Sequence, residues 1–172
     1  MLDRNKSYIE SFNFAFLGLS KLVETKITNS PKLVNLEVTK KCNARCDFCD
    51  YWQTQHEERL DDYTDLIKKI NPLVVMVTGG EPMLRKDIVE IIKQIKSASY
   101  FTYTGIITKG DLLDMNKAKA LYDAGIDQIA ISLDFLGDRH SENRGVNGLW
   151  SHVSDLIPRI STELKRTISI NT

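Results

Sequence analysis

Residues 73–82 have the sequence LVVMVTGGEP, a short continuous apolar run followed by two glycines, a glutamate and a proline. A run of this kind is typical of a strand that is buried on both faces, as in a parallel sheet. The glycines permit a tight turn and let a ligand approach the backbone closely. The stretch therefore predicts an α/β fold with functional groups at the carboxyl ends of its strands.

The same alternation of strand and helix continues on both sides of this stretch. Apolar runs predict five strands, at 34–38, 73–77, 103–107, 128–133 and 167–171. Amphipathic periodicity predicts helices between them, at 60–70, 88–95, 114–125 and 149–164, the last kinked at Pro158. Buried strands that alternate with such helices indicate a parallel sheet with right-handed crossovers.

The length of the chain limits this architecture. A closed eight-stranded barrel needs about 250 residues, and the chain has 172. We therefore expect a parallel α/β core over 32–172 that is too short for a full barrel and ends within its fifth strand.

A helical segment, 1–31, precedes this core. Its apolar residues recur at three- and four-residue steps, and Asn29-Ser30-Pro31 ends the pattern. The members of this stripe are Ile9, Phe12, Phe16, Leu19 and Val23. We favour an amphipathic helix whose stripe packs on the body of the protein. The alternative is a helix that docks on a membrane surface or a partner.

Composition excludes several classes of function. The chain carries 23 Lys and Arg against 23 Asp and Glu, so it has no net charge with which to hold nucleic acid. No apolar run reaches the roughly 20 residues that span a bilayer. The 3 cysteines are an odd number and lie within 42–49, which does not suit a secreted disulfide framework. We expect a cytoplasmic protein with reduced thiols.

The cysteines follow the first predicted strand with the spacing C-x3-C-x2-C, at Cys42, Cys46 and Cys49. Thiolates favour zinc, copper(I) or iron–sulfur clusters. A structural zinc site needs a fourth ligand, for which His56 is the candidate. A [4Fe–4S] cluster held by three thiolates leaves one iron open, which suits catalysis better than electron transfer. An iron–sulfur carrier and a zinc-stabilised binding domain remain the alternatives to an enzyme.

Basic residues flank the thiols. Lys40, Lys41 and Arg45 lie beside the cysteines in the sequence. If they face the sulfur atoms they lower the thiol pKa values, and otherwise they belong to a solvated loop.

Each other predicted strand also ends in small or polar residues. Gly79, Gly80 and Glu81 follow the second strand, and a carboxylate there could accept hydrogen bonds from an ammonium group. The remaining residues of this kind are Thr108 and Lys109 after the third strand, Ser132 and Asp134 at the fourth, and Asn171 at the fifth. Parallel strands bring these groups to one mouth.

These residues carry a resemblance to a known family. The segment CNARCDFC, at 42–49, resembles the C-x3-C-x-aromatic-C signature of the radical S-adenosylmethionine (SAM) superfamily. Residues 79–82, GGEP, match its second motif, and 131–134, ISLD, followed by His140 and Arg144, also resemble it. The resemblance covers residues 32–172. It implies a partial barrel that continues to a sixth strand, and substrate residues that lie beyond the fifth.

The resemblance also implies roles for individual residues. Cys42, Cys46 and Cys49 would each bind one iron of a [4Fe–4S] cluster, and SAM would bind the fourth. The residues that would contact SAM are Phe48 at the adenine, Gly79, Gly80 and Glu81 at the amine, Thr108 in the turn after the third strand, Ser132 and Asn171 at the ribose or carboxylate, and Arg144 near the carboxylate or shaping its loop. Lys109 replaces the Asn of the family's Thr-Asn-Gly turn. For Asp134 and His140 we favour structural roles, as a strand-end cap and a loop histidine.

The activity implied is reductive cleavage of SAM to a 5′-deoxyadenosyl radical that removes a hydrogen atom from a substrate. A reductant such as flavodoxin or ferredoxin would supply the electron. The substrate, whether peptide, lipid or small molecule, cannot be identified from these residues, and no further cysteines are present for auxiliary clusters. If the apolar N-terminal helix docks on a membrane and does not pack on the core, it would give weak membrane association and a slight preference for a lipid or membrane-proximal substrate.

Overall fold

The computed structural model describes residues 4–54, 57 and 59–172, with side chains from residue 10 onward. Its strands form one parallel sheet in the order β1-β2-β3-β4-β5. Their bounds are β1 Leu33–Glu37, β2 Val74–Thr78, β3 Tyr103–Thr108, β4 Gln128–Ser132 and β5 Ile168–Asn171. Parallel strands paired in sequence order form the wall of a partial (β/α) barrel, which confirms the predicted fold class.

One helix precedes the first strand, and the other helices connect the strands. They are α1 Arg4–Thr28, α2 Thr64–Ile70, α3 Ile88–Ser97, α4 Met115–Asp123, α5 Asp138–Arg144 and α6 Leu149–Glu163. α2 begins at Thr64, four residues later than predicted. At this point the Asp62 carboxylate accepts the Thr64 N–H at 2.7 Å. α5 was not predicted, because its sequence DRHSENR has no apolar period.

The core lies mainly on one face of the central strands, the face that the helices cover. β2, β3 and β4 each contribute fully buried aliphatic side chains: Val75, Val77, Ile106, Ile129 and Ile131. Helices α3, α4 and α6 cover them with Ile91, Ile92, Ile95, Leu121, Val153 and Ile160. Burial of this much apolar surface holds the strand ends in fixed register and gives the site a rigid base.

α1 is attached to the body through a polar contact. The Lys21 side chain is fully buried, donates to Asn71 Oδ1 and lies 5.1 Å from the centre of the Tyr100 ring. Glu24 accepts from Asn71 at 2.6 Å and from the Tyr100 hydroxyl at 2.8 Å. These partners satisfy the buried ammonium, and Phe14 adds an edge contact to Phe101 at 5.2 Å.

The predicted packing face of α1 is wrong. Its apolar stripe is exposed to solvent, at Phe12, Phe16, Leu19, Val23 and additionally Ile27. The helix docks through the opposite side, because that side carries Lys21 and Thr25, both buried. The side chain of Ile9 lies outside the described residues. In the described part of the chain, no helix has the length and apolar character to cross a bilayer.

Candidate active site

The loop that follows β1 brings the three cysteines to the carboxyl ends of the strands. Cys42, Cys46 and Cys49 line one pocket of about 170 Å³. The other predicted site residues that line it are Phe48, Gly79, Gly80, Glu81, Thr108, Ser132 and Arg144. Three separate strand ends therefore meet the cysteine loop, defined here as residues 38–50, around a single space.

The GGE turn after β2 is joined to the cysteine loop by backbone pairing. Gly80 donates its N–H to Thr39 O at 2.9 Å, and Glu81 donates to Lys41 O at 2.9 Å. A Cβ at Gly79 would lie 2.2 Å from Thr39 O, and one at Gly80 would lie 2.3 Å from Lys41 O. Only glycine fits at either position. The close approach that these glycines permit is to the chain's own loop.

The Glu81 carboxylate is buried, with 1% of its surface exposed, and is surrounded by donors from the chain itself. Oε1 accepts from Met83 N–H at 3.0 Å and from the Thr108 hydroxyl at 2.7 Å. Oε2 accepts from Lys109 N–H at 3.1 Å and from the Lys109 ammonium at 3.3 Å. These four donors fill the usual acceptor capacity of a carboxylate. The ammonium that Glu81 contacts is thus that of Lys109.

Arg144, at the end of α5, reaches the pocket from the other side. Its guanidinium donates to the Asp134 carboxylate at 2.8 and 2.9 Å and lies 5.6 Å from the centre of the Phe48 ring. We expected Asp134 to cap the end of its strand. Its carboxylate instead pairs with Arg144 and orients that guanidinium. His140 is fully buried, and its Nδ1 lies 3.4 Å from the Asp134 N–H.

A second backbone contact holds the cysteine loop on the Arg144 side. Arg45 donates its N–H to Arg144 O at 3.0 Å. Gly145 follows with φ of +60°, and a Cβ there would lie 3.2 Å from the Arg45 Cβ. The loop is therefore held between the β2 turn and the end of α5.

The electrostatics of the thiols differ from the sequence expectation in one respect. Burial raises the pKa of Cys46, and the nearby Arg144 offsets only part of this effect. The basic neighbours do not lower it, because Arg45 stacks 5.7 Å from the centre of the Trp52 ring and Lys40 is exposed. A bound cation is what would favour the thiolate here.

The chemistry of the donors fits an iron–sulfur cluster better than a single ion. All three cysteines are free and face one pocket. Among the residues that the structure describes, no three His, Cys, Asp or Glu side chains converge closely enough to hold one metal ion. A cluster presents its irons at separate corners, so its thiolate ligands can stand further apart. The pocket is smaller than the roughly 300–1,000 Å³ usual for ligands, so a cluster with SAM would also use the open side of the mouth.

One predicted site residue is not at this pocket. Asn171 is exposed at the end of β5, where its carbonyl accepts the Leu133 N–H at 2.8 Å. His56 lies outside the described residues, so the zinc alternative stays a hypothesis.

Sequence reasoning missed two residues beside the site, Asn43 and Asp111. Asn43, between the first two cysteines, donates to Asp111 at 2.7 Å and accepts from the Lys109 ammonium at 2.5 Å. Both partners follow β3. The sequence does place Asn43 and Asp111 in loops at the same edge of the sheet. Nothing in the sequence, however, shows that the two side chains meet.

A parallel sheet with three thiols and a GGE turn at its mouth defines a class of cluster-binding α/β proteins. The family model described as the radical SAM superfamily matches residues 36–171. The chain belongs to the radical SAM superfamily, whose enzymes use a [4Fe–4S] cluster and SAM.

Curated relatives share part of this chain. It is 37% identical over 125 residues to the GTP 3′,8-cyclase of Lactiplantibacillus plantarum, a match that covers 66% of this chain and 37% of the relative. It is 31% identical over 135 residues to the enzyme of the same name from Aquifex aeolicus, covering 71% and 42%. The match thus spans less than half the length of these relatives.

Solved structures show the same fold. Streptococcus suis SuiB bound to S-adenosylmethionine aligns with a TM-score of 0.67 at 20% identity, over 89% of this chain and 35% of that one. BtrN in complex with AdoMet and 2-DOIA aligns with a TM-score of 0.61 at 15% identity, over 81% and 56%. At these identities the likeness concerns the fold alone.

Proposed function

We propose that this chain binds a [4Fe–4S] cluster through Cys42, Cys46 and Cys49 and uses it to cleave SAM reductively. The observation that carries the proposal is that the three thiols and the GGE turn line one pocket. When bound, the cluster supplies one electron to the sulfonium of SAM, giving methionine and a 5′-deoxyadenosyl radical.

The chain's own residues would bind and orient the reactants. The turn at Gly79, Gly80 and Glu81, with Thr108 and Ser132, lies at the strand ends where the methionyl part of SAM would be held. Phe48 would lie by the adenine. Arg144, already oriented by Asp134, would face the SAM carboxylate. Such prior orientation lowers the entropy cost of binding.

Reconstitution tests this proposal. The protein is loaded anaerobically with iron and sulfide, reduced with dithionite, and mixed with SAM, and 5′-deoxyadenosine is measured. We expect about four irons per chain and 5′-deoxyadenosine above that of a no-protein control. Cys42→Ser should lose both, whereas Ser154→Ala, on the exposed side of α6, should keep both.

Other outcomes would favour the rival functions. A stable cluster that never cleaves SAM would support an iron–sulfur carrier. One tightly bound zinc per chain, with no cluster, would support a zinc-stabilised domain and contradict the radical proposal.

GTP is the substrate that should be tested first. The support is the name GTP 3′,8-cyclase carried by several relatives that are 29–37% identical. GTP should increase the 5′-deoxyadenosine yield if this chain shares that substrate, and ATP is the matched control. Equal yields with GTP, ATP and no nucleotide would exclude it and leave peptides, lipids and other small molecules.

Two partners belong to the same proposal. We propose a flavodoxin or ferredoxin as the physiological reductant, because cleavage of SAM consumes an electron. Weak membrane association through α1 is also proposed, on the exposed apolar stripe of that helix. Sedimentation with anionic vesicles should fall when Phe12 and Phe16 are both changed to serine, and unchanged sedimentation would contradict it.

A further inference from the structure

The turn after β3 contains a lysine whose ammonium is removed from solvent beside the pocket. Only 2% of the Lys109 side chain is exposed. A buried lysine needs partners for its charge and its protons. Its acceptors therefore indicate what the residue does.

Three acceptors surround the Lys109 Nζ. Asn43 Oδ1 lies at 2.5 Å, Asp111 Oδ1 at 2.8 Å and Glu81 Oε2 at 3.3 Å. The ammonium donates hydrogen bonds to Asn43 and Glu81, whereas the Asp111 oxygen pairs with its charge without hydrogen-bond geometry. These contacts all go to residues of the chain itself, which indicates that Lys109 holds other residues in place.

Asn43, Asp111 and Lys109 form a closed ring of contacts. The Asn43 Nδ2 donates to Asp111 Oδ2 at 2.7 Å while the Asn43 Oδ1 faces the ammonium. The amide thus meets a cation with its oxygen and a carboxylate with its nitrogen. Asn43 is an exposed residue that lies directly after Cys42 in the cysteine loop.

We propose that Lys109 is a positioning residue that fixes the first part of the cysteine loop, through Asn43, to the Glu81 carboxylate of the GGE turn. The inference has a functional consequence only if the proposed function holds. In that case the spacing between the Cys42 thiol and the GGE turn, where SAM would bind, depends on Lys109. The loop's backbone pairing with Gly80 and Glu81 ends at Lys41. The side-chain link at Asn43 extends the attachment past Cys42.

The first test uses the cluster-free protein. Amide hydrogen exchange over residues 42–49 should be faster in Asn43→Ala and in Lys109→Met than in the unaltered chain. Asn116→Ala and Lys119→Met, at exposed positions of α4, are the matched controls and should exchange as the unaltered chain does. Because Asn43 is exposed, its alanine variant should fold. Unchanged exchange in Asn43→Ala would overturn the proposal even if no cluster were ever bound.

The second test uses the reconstituted protein. We expect both variants to bind SAM about tenfold or more weakly, since a hydrogen bond to a charged group is lost. The electron paramagnetic resonance signal of their reduced cluster should change less on addition of SAM. The double variant should bind no more weakly than the worse single variant, because both changes break one link. The proposal would be overturned if the losses of SAM affinity in the two single variants multiplied in the double variant. It would also be overturned if either single variant bound SAM as tightly as the unaltered chain, or more tightly.

These outcomes are separate from failure of the proposed function. If the unaltered chain forms no cluster or does not cleave SAM, the radical proposal fails. The hydrogen-exchange result then still decides whether Lys109 fixes the loop.

Discussion

The Asp134 carboxylate accepts two hydrogen bonds from the Arg144 guanidinium, at 2.8 and 2.9 Å, and so joins the end of β4 to the end of α5. The pair is largely shielded, with 24% of the Asp134 side chain and 13% of the Arg144 side chain exposed. A two-point contact of this kind fixes both distance and orientation. Arg144 in turn lies over Phe48, so the geometry of the pair is transmitted to the cysteine loop.

Asp134→Ala should weaken SAM binding by about tenfold, because an Arg144 side chain without its partner is no longer held in one orientation. Equilibrium binding of SAM to the reconstituted protein measures this. Asp155→Ala, which removes an exposed ion pair of α6, is the control and should bind SAM normally. If Asp134→Ala bound SAM as tightly as the control, Asp134 would have no part in orienting Arg144 for SAM.

Gly80→Ala should prevent normal cluster assembly. The added Cβ would lie 2.3 Å from Lys41 O and 2.7 Å from Lys40 O, both backbone atoms, so the cysteine loop must move away from the β2 turn. Overpacking of this kind costs about 1–3 kcal/mol in the free energy of unfolding. Iron content after reconstitution is the measurement.

A second glycine separates collision from backbone strain. Gly137 has φ of +73° with no atom near its added Cβ, so Gly137→Ala introduces strain without a clash. It should lose some stability and still take up iron like the unaltered chain. Equal iron loss in both variants would show that general destabilisation, and not loop displacement, causes the defect.

Lys21→Met should lower the free energy of unfolding by about 1–3 kcal/mol, because Asn71 and Glu24 lose a buried hydrogen-bonding partner. Phe16→Ser should change it by less than about 0.5 kcal/mol, since this ring is 60% exposed. Urea unfolding of the two variants tests the assignment of the docking face of α1. The reverse order of effects would indicate that the apolar stripe is the face that packs.

Stability should fall as the pH decreases through the range in which histidine titrates. Burial, aided by the Arg144 charge and opposed by Asp134, lowers the pKa of His140 from its ordinary value of 6.5. Below that value the unfolded chain takes up a proton that the native state resists, so the free energy of unfolding decreases toward acid. Above it neither state is protonated, and His140 adds no pH dependence.

The decrease is at most about 1.4 kcal/mol for each pH unit from this one group. Urea unfolding of the cluster-free protein at pH 7.5 and 5.5 measures it, and His140→Gln should show a smaller difference between the two values. An equal difference in the variant would mean that another group is responsible.

The strands could be predicted within one residue because apolar runs such as LVVMV are typical of buried strands, although in this run only Val75 and Val77, on one face, are buried. The face of α1 could not, because a helix with an apolar stripe can still dock through a buried lysine. Periodicity counts Phe12 and Phe16 toward packing and does not anticipate that Asn71 and Tyr100 accommodate Lys21.

The position of the site also followed from the sequence, since parallel strands place Cys42, Gly80 and Ser132 at one edge. The partners inside it did not. Glu81 meets Lys109 and Asn43 meets Asp111 through side-chain reach between loops, which depends on atomic geometry that residue spacing does not contain. The roles of these residues toward SAM stay predictions.

The contact between Arg45 and Arg144 has a consequence for how the protein matures. During synthesis the three thiols emerge with β1, but the residue that supports their loop from α5 is made only after β4 is complete. Such non-local contacts form late in folding. The nascent chain would therefore expose its thiols before it can arrange them. Iron delivery should follow the synthesis of α5, and premature oxidation of the thiols is the risk before that point.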